Sequence, residues 1–526
     1  MSRRAIAAPP LLLLLLLLVL LLALTGGCDR VASFFGGPAA EGTVRVDADA
    51  RDDGAADAAD GDIGPSIPEL GVDAGSDADM ARPQPFELLR RNPFGDGTAF
   101  AYIFPHGGWL FLGPSQDGAT ARSMSTDGAI LNTVKLTFVR DPGGGGQSSN
   151  KAQSPYPSIG SAGCAKDTIA CGPNNENGRG LFSQITVKGS SWIVIAGAAV
   201  DHALQHIYMT TDTGSTLTFR FVDLAAALGS QTRTLSAIHS FADRIYAGFV
   251  DESGKRPYLV AQSTLPNLPG IDAVPGSDVE DLVATSMVGL QAGSLTGIDA
   301  ITDFNDRLYI ANGGAWWRAN VVAPSNIETA PSHWTQVTPS SGNYSVLSSV
   351  GANKRSELTP ADRAVPAMVT WGGRLYAARN TTSGPQLWVC DPALSGSSTD
   401  CDFGDWRLAA RDGGNGLYSR FDNTALARVT LLAATKSHLY VGFDSLNGFA
   451  LYRTSVALPA AASDFRGDLD CVASDTNCEP LGKHGFGKPD QSRILSSTTS
   501  TLGGGSALYL VVGDGTAPLA VYRVAD

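Results

Sequence analysis

The sequence of 526 residues predicts an all-β fold: a seven-bladed β-propeller preceded by a signal peptide and a disordered acidic linker. Three observations predict it. Glycine is abundant (60 residues) and only 17% of the chain is charged, a balance that favours strands and tight turns over helical bundles. A strand motif of the form Arg-Leu-Tyr-x-Ala/Gly recurs through residues 86–526. Within each copy the strands are apolar at successive positions, so both faces of each sheet need cover.

Residues 1–27 have the layout of an export signal. Arg3 and Arg4 precede an unbroken apolar run, Leu11–Leu24, and Thr25, Gly26 and Gly27 follow it. As a helix, those 14 residues span about 21 Å, short of a ~30 Å hydrocarbon core. The segment Leu24-Thr25-Gly26-Gly27-Cys28 resembles the lipobox of bacterial lipoproteins, with the leucine four residues before the cysteine where the family prefers three. The resemblance implies acylation of Cys28 with palmitate-type chains, which would make it the mature N-terminus. It also implies a cell-envelope location, periplasmic or surface-exposed. The alternative is an uncleaved anchor extending back to Ala5, and either outcome tethers the chain to a membrane.

Residues 28–85 read as a spacer. Positions 29–85 hold 13 acidic residues against four arginines, leaving only about −6 of the −13 net charge on the body. Stretches such as Asp47–Asp62 have almost no large apolar side chain to offset chain entropy, so disorder is expected. A flexible chain of this length spans on the order of 40 Å. The acidic balance excludes a phosphate-binding surface, and no nucleic-acid partner is expected.

From residue 86 onward the unit is a strand, a short turn, the Tyr-bearing second strand and a third strand. Equivalent positions are Phe111, Val194, Tyr246, Tyr309, Tyr376, Tyr440 and Tyr509, spaced 52 to 83 residues apart, which leaves each copy room for an insertion. In Leu308-Tyr309-Ile310-Ala311, Leu308 and Ile310 point one way and Tyr309 and Ala311 the other, as in a sheet sandwiched between two neighbours. Outer fourth strands are expected at Trp334 and Trp406. The last copy stops after its third strand and an orphan strand, Phe86–Arg90, precedes the first, so the N-terminal strand is expected to complete the last blade. A two-domain β-sandwich is the alternative architecture.

The repeat cycle resembles kelch and sialidase-type propellers over most of residues 86–526, without the Gly-Gly pair that follows the second kelch strand. Thr210-Thr211-Asp212-Thr213-Gly214-Ser215-Thr216 resembles the Asp-box turn of sialidase-type propellers, with Leu217 where an aromatic residue belongs. In that family the turn is structural, so the resemblance implies fold and not activity.

Apart from Cys28, six cysteines fall in three close pairs. Cys164–Cys171, Cys390–Cys401 and Cys471–Cys478 are the simplest pairing for an exported chain, though six cysteines allow other connectivities. Each would close a short loop in an insertion, worth about 2–3 kcal/mol in the chain-entropy model.

No residue pattern predicts catalysis, a cofactor or a metal. His202 and His206 have i, i+4 spacing but lie where a turn is expected and lack an accompanying Glu. Arg244, Arg307 and Arg374 resemble the arginine cluster with which sialidases hold a carboxylate, but their shared place at the start of the second strand fits a blade-stabilising role. The acidic loop residues Asp278, Glu280 and Asp281 have no legible partner across a cleft. Gly143–Gly146 lacks the Lys-Ser/Thr of a phosphate loop. The functional expectation is a membrane-tethered module that binds a protein or glycan, with insertions at about 140–182, 264–295, 339–364, 391–427 and 456–492 as recognition loops. The alternatives are a glycan hydrolase or lyase on the same scaffold and a structural assembly protein of the envelope.

Overall fold

The computed structural model describes residues 85–115, 119–139, 182–187, 189–196, 206–223, 233–242, 244–251, 257–262, 282–286, 298–312, 315–320, 334–338, 365–381, 384–394, 399–410, 425–426, 428–445, 447–461, 464–465, 481, 484–514 and 518–526. All of them belong to the unit Ala78–Asp526. The signal segment, Cys28, the acidic linker and the pairs Cys164/Cys171 and Cys471/Cys478 lie outside the described residues.

The chain enters through β1 (Phe86–Arg91) and then runs through antiparallel meanders. The first comprises β2 (Tyr102–His106), β3 (Trp109–Gly113), β4 (Thr120–Met124) and β5 (Ile130–Val139). The second comprises β6 (Phe182–Val187), β7 (Ser190–Ala196), β8 (His206–Thr210) and β9 (Thr216–Asp223). Next come β10 (Arg233–Phe241), β11 (Arg244–Asp251), β12 (Pro257–Gln262) and β13 (Leu282–Ser286). They are followed by β14 (Ile298–Phe304), β15 (Arg307–Asn312), β16 (Ala315–Ala319) and β17 (Trp334–Gln336). The fifth holds β18 (Met368–Trp371), β19 (Arg374–Thr381), β20 (Gly384–Cys390) and β21 (Trp406–Leu408), and the sixth β22 (Arg428–Ala434), β23 (Leu439–Asp444) and β24 (Ala450–Thr454). The last holds β25 (Arg493–Ser500), β26 (Ala507–Gly513) and β27 (Ala520–Ala525), with β1 added outside β27.

Among the described residues these strands make six sheets, not the seven separate blades expected. The difference arises at β5 and β9. They run parallel and pair from Lys135–Thr216 to Val139–Arg220, fusing the first two meanders into one eight-stranded sheet. The first strands of the meanders form a cycle: β2, β6, β10, β14, β18, β22 and β25 each contact the next, and β25 contacts β2.

The second strands explain why the sheets stack. Side chains alternate along a strand, and here both sets enter apolar cores. Leu308 and Ile310 pack with Tyr246 and Ile298, whereas Tyr309 and Ala311 pack with Leu375, Trp388 and Trp406 of the following sheet. The rule repeats. Leu439, Val441 and Phe443 join a core with Tyr376 and Val389, and Tyr440 joins one with Leu508 and Leu510. Each such fully buried side chain contributes about 1.5–3 kcal/mol.

Small residues two positions after the tyrosine let the next sheet approach. A Cβ on Gly442 would lie 2.4 Å from Ile494 Cδ1 and 2.8 Å from Leu431 Cβ, and one on Gly248 would lie 2.7 Å from Ile298 Cβ. Ile494 and Ile298 sit on the first strands of the respective neighbouring sheets, β25 and β14.

The tyrosine hydroxyls then cross the same boundary. Tyr309 accepts from the Cys401 N–H (3.0 Å), Tyr376 donates to the Ala457 carbonyl (2.5 Å) and Tyr440 to the Ala525 carbonyl (3.3 Å). In each case the partner lies at or beyond the end of the third strand of the following sheet.

Closure is made by the two ends of the described chain. β1 pairs antiparallel with β27, from Phe86–Val524 to Arg91–Ala520, with one irregularity between Leu88 and Arg90. The Phe86 ring stacks on Phe486 at 4.1 Å. On the inner side the Ile103 N–H donates to Ser496 Oγ (3.2 Å), joining β2 to β25. Cys390 and Cys401 form a disulfide with a Cα–Cα distance of 5.9 Å, linking the end of β20 to the strap before β21.

Two outcomes follow. Gly442→Ala should destabilise the fold by about 1–3 kcal/mol through overpacking, and Ile494→Ala in the same chain should cost less than the sum of the two changes. Denaturant midpoints of the single and double variants measure this coupling, and strict additivity would separate the two sheets. The second concerns alkaline pH. Burial raises the phenols of Tyr246, Tyr309, Tyr376, Tyr440 and Tyr509 above their ordinary value. Unfolded tyrosines ionise near pH ~10 while these stay neutral, so the stability they confer is present below ~10 and falls as pH rises beyond it. The phenolate absorbance of these residues should therefore grow together with loss of fold. Smooth titration near pH 10 in an intact fold would contradict their burial.

Candidate functional site

The first strands of the sheets pair on one side only, so their free edges present backbone N–H and C=O groups and half-exposed side chains to the space they surround. A cavity of about 310 Å³ opens there. It is lined by Tyr102, Ile103 and Phe104 of β2, Ser183 and Gln184 of β6, Pro366 and Ala367 before β18, Thr430, Leu431 and Leu432 of β22, and Ser496, Ser497 and Thr498 of β25. Five of the seven sequence repeats therefore contribute to one site.

β25 supplies an unusual wall. Where β22 has Leu431-Leu432-Ala433-Ala434, it reads Ser496-Ser497-Thr498-Thr499-Ser500, and the first four are half-buried. Hydroxyls both donate and accept, and several retain capacity. Ser496 Oγ accepts from Ile103, and Thr430 reaches the Gly442 carbonyl only at 3.5 Å. Gln184 Nε2 donates to Ser191 Oγ at 2.6 Å, which fixes the amide and leaves its oxygen available. The remaining lining is aliphatic or aromatic. The cavity thus offers neutral hydrogen-bonding groups beside apolar surface, and every lining residue is uncharged.

Sequence reasoning overlooked this wall, although a run of five hydroxyl residues where the preceding copy carries Leu431-Leu432-Ala433-Ala434 is a legible signal. The residues that it did single out serve elsewhere. Arg307 Nε lies 2.7 Å from Asp400 Oδ2, and Arg374 Nε lies 3.3 Å from Asp391 Oδ1. Arg318 Nη1 bonds Asp402 Oδ1 at 2.5 Å. His438, in the position of the repeated Arg, has Nδ1 2.9 Å from Asp526 Oδ1. Arg307, Arg318 and Arg374 are engaged by the protein's own carboxylates, Arg244 lies beside the Tyr246 hydroxyl, and none of the four lines the cavity.

The histidines are also dispersed. His239 Nε2 contacts Asp303 Oδ1 at 2.7 Å, and His484 contacts the Gly448 carbonyl. His106 is buried, its Nε2–H donates to the Asp212 carbonyl (2.6 Å), and burial holds its pKa below the ordinary imidazole value. His202, His333 and the side chain of His206 lie outside the described residues, as do Asp278, Glu280, Asp281 and Gly143–Gly146. Among the described residues no cluster of metal-ligating side chains occurs, and no helix is long and apolar enough to cross a membrane.

The Asp212 turn behaves as a structural clamp. Its Oδ2 accepts from the Thr218 N–H (2.8 Å), closing the β8–β9 hairpin, and its carbonyl receives His106 from the first meander. Leu217 is fully buried in the core shared with Phe111 and Ile193, occupying apolar space at the position of the family's aromatic residue.

No protein-family model matches the chain, and no curated protein matches it. Among solved structures it is similar to the endosialidase of phage phi92, at 12% identity and a TM-score of 0.35, covering 65% of this chain and 66% of that one, just under two thirds. It is also similar to the Dos1 propeller (8%, TM-score 0.37, covering 79% of this chain and 74% of that one). A third likeness is to the Cps50 (Swd1) β-propeller domain of Myceliophteria thermophila (11%, TM-score 0.36, covering 83% and 98%). These scores carry no argument about ligand or activity. The β-propeller assignment stands on the strand pairing and the cycle of first strands described above.

Proposed function

We propose that this protein is a lipid-anchored binding module of the bacterial cell envelope, carrying a ring of seven blades on an acidic tether. The eight-stranded sheet counts in this reading as two blades joined at their outer edges, because β2 and β6 each supply a separate first strand to the inner cycle. The lipobox-like Leu24–Cys28 segment supports the anchor, and residues 29–85, rich in Ala and Asp, support the tether.

The observation that carries the binding role is the cavity among the first strands. Its hydroxyl, amide and apolar groups suit recognition, and none of them changes protonation near neutral pH to serve as a general acid or base. The sheets hold these groups rigidly, which limits the ordering cost of capturing a protein or glycan ligand.

Two measurements test the reading together. The wild-type chain should incorporate palmitate and sediment with membranes, whereas Cys28→Ser should incorporate none and lose the association. Ligand captured by the purified chain should be recovered chemically unchanged after prolonged incubation. New reducing ends or unsaturated sugar products would overturn the binding role in favour of a hydrolase or lyase.

A further inference from the structure

We propose that the cavity among the first strands is a site for an uncharged saccharide of about one sugar ring. This inference rests on the binding reading above and names the ligand class.

Size is the first constraint. About 310 Å³ lies at the lower end of the ~300–1,000 Å³ range of small-molecule clefts, far too small for a folded partner. Chemistry is the second. An anionic ligand gives up part of its hydration even in a cavity that opens to solvent, and the loss must be repaid by a cation or a convergent set of donors. Among the described residues no Lys, Arg or His lines this cavity, and Arg307 and Arg374 are held by Asp400 and Asp391. A cationic ligand meets the same objection, since no carboxylate lines it either.

The lining matches a sugar in its two-sided character. Ser183, Ser496, Ser497 and Thr498 bring hydroxyls from two adjoining regions of the ring, and the hydroxyls of Ser183 and Ser497 make no hydrogen bond among the described residues. Each can turn to donate or accept, as the hydroxyls of a pyranose also do. Half-buried Ala367 and the narrow exposed margins of Ile103, Leu431 and Leu432, whose side chains otherwise pack into the cores between sheets, supply apolar surface for the C–H face of the ring. A purely apolar ligand would leave the hydroxyl wall unsatisfied on losing its water, at a cost of about 1–3 kcal/mol per stranded group.

The test is calorimetric titration of the full-length chain, held in a detergent without a sugar headgroup. The probes are glucose, galactose and N-acetylglucosamine, with glucuronic acid and N-acetylneuraminic acid as anionic counterparts. At least one neutral sugar should bind, and both acids should bind at least tenfold more weakly. Ser497→Leu, which fills the cavity, and Ser183→Val, which removes a hydroxyl contributed by β6, should each weaken that binding at least tenfold while the thermal midpoint is retained. Using two variants keeps the test valid if one fails to fold. Failure of every neutral sugar to bind, acids binding equally well, or neutral binding insensitive to both variants would each overturn the saccharide site. Conversion of the bound sugar would leave the site standing and defeat the binding-only reading instead.

Discussion

The structure depends on second strands that are apolar on both faces. A strand such as Leu308-Tyr309-Ile310-Ala311 cannot be stable at a free end of the array, because one set of side chains would always face water. Each sheet therefore requires a neighbour on either side, and the sequence supplies neighbours only by repetition. A linear stack would leave two apolar faces exposed, and a closed cycle leaves none. The hydroxyls of Tyr309, Tyr376 and Tyr440 add direction to this burial, since each reaches forward to a residue at or beyond the end of the third strand of the next sheet.

Closure also decides where chemistry is available. The second and third strands are committed to packing, and Arg307, Arg374 and His438, two residues before their tyrosines, are committed to contacts with carboxylates from insertions and strand ends. What remains is the inner edge of the first strands. Their backbone faces the common space, so a local change of side chain there alters recognition without disturbing the sheet stack. The hydroxyl run of β25 is such a change. It sits directly beside the seam where β25 meets β2, so the element that closes the ring also furnishes the most polar wall of the cavity.

Much of this was legible in the sequence. The two-faced apolar pattern, the aligned tyrosines, the outer strands at Trp334 and Trp406 and the return of the N-terminal strand to the C-terminal sheet all follow from periodicity and from counting strands. The Cys390–Cys401 bridge was legible from the closeness of the two cysteines in the sequence. The parallel pairing of β5 with β9 was not, because it joins strands some 80 residues apart, and neither alternation nor turn chemistry encodes such a contact. Nor did the arginines reveal their partners, since Asp400 and Asp402 lie in a strap whose path is set by the disulfide and by Tyr309. The cavity was missed for a related reason: its lining comes from five distant segments, and only the Ser496–Ser500 run marks any of them.

The ring is sealed by β1 against β27, and native-state hydrogen exchange of the full chain is the decisive check on that seal. Amides in Phe86–Arg91 and Ala520–Ala525 should be protected together and released in one cooperative opening, at a rate close to that of β26. Rapid exchange of Phe86–Arg91, with β27 exchanging as an open edge while β26 stays slow, would contradict it.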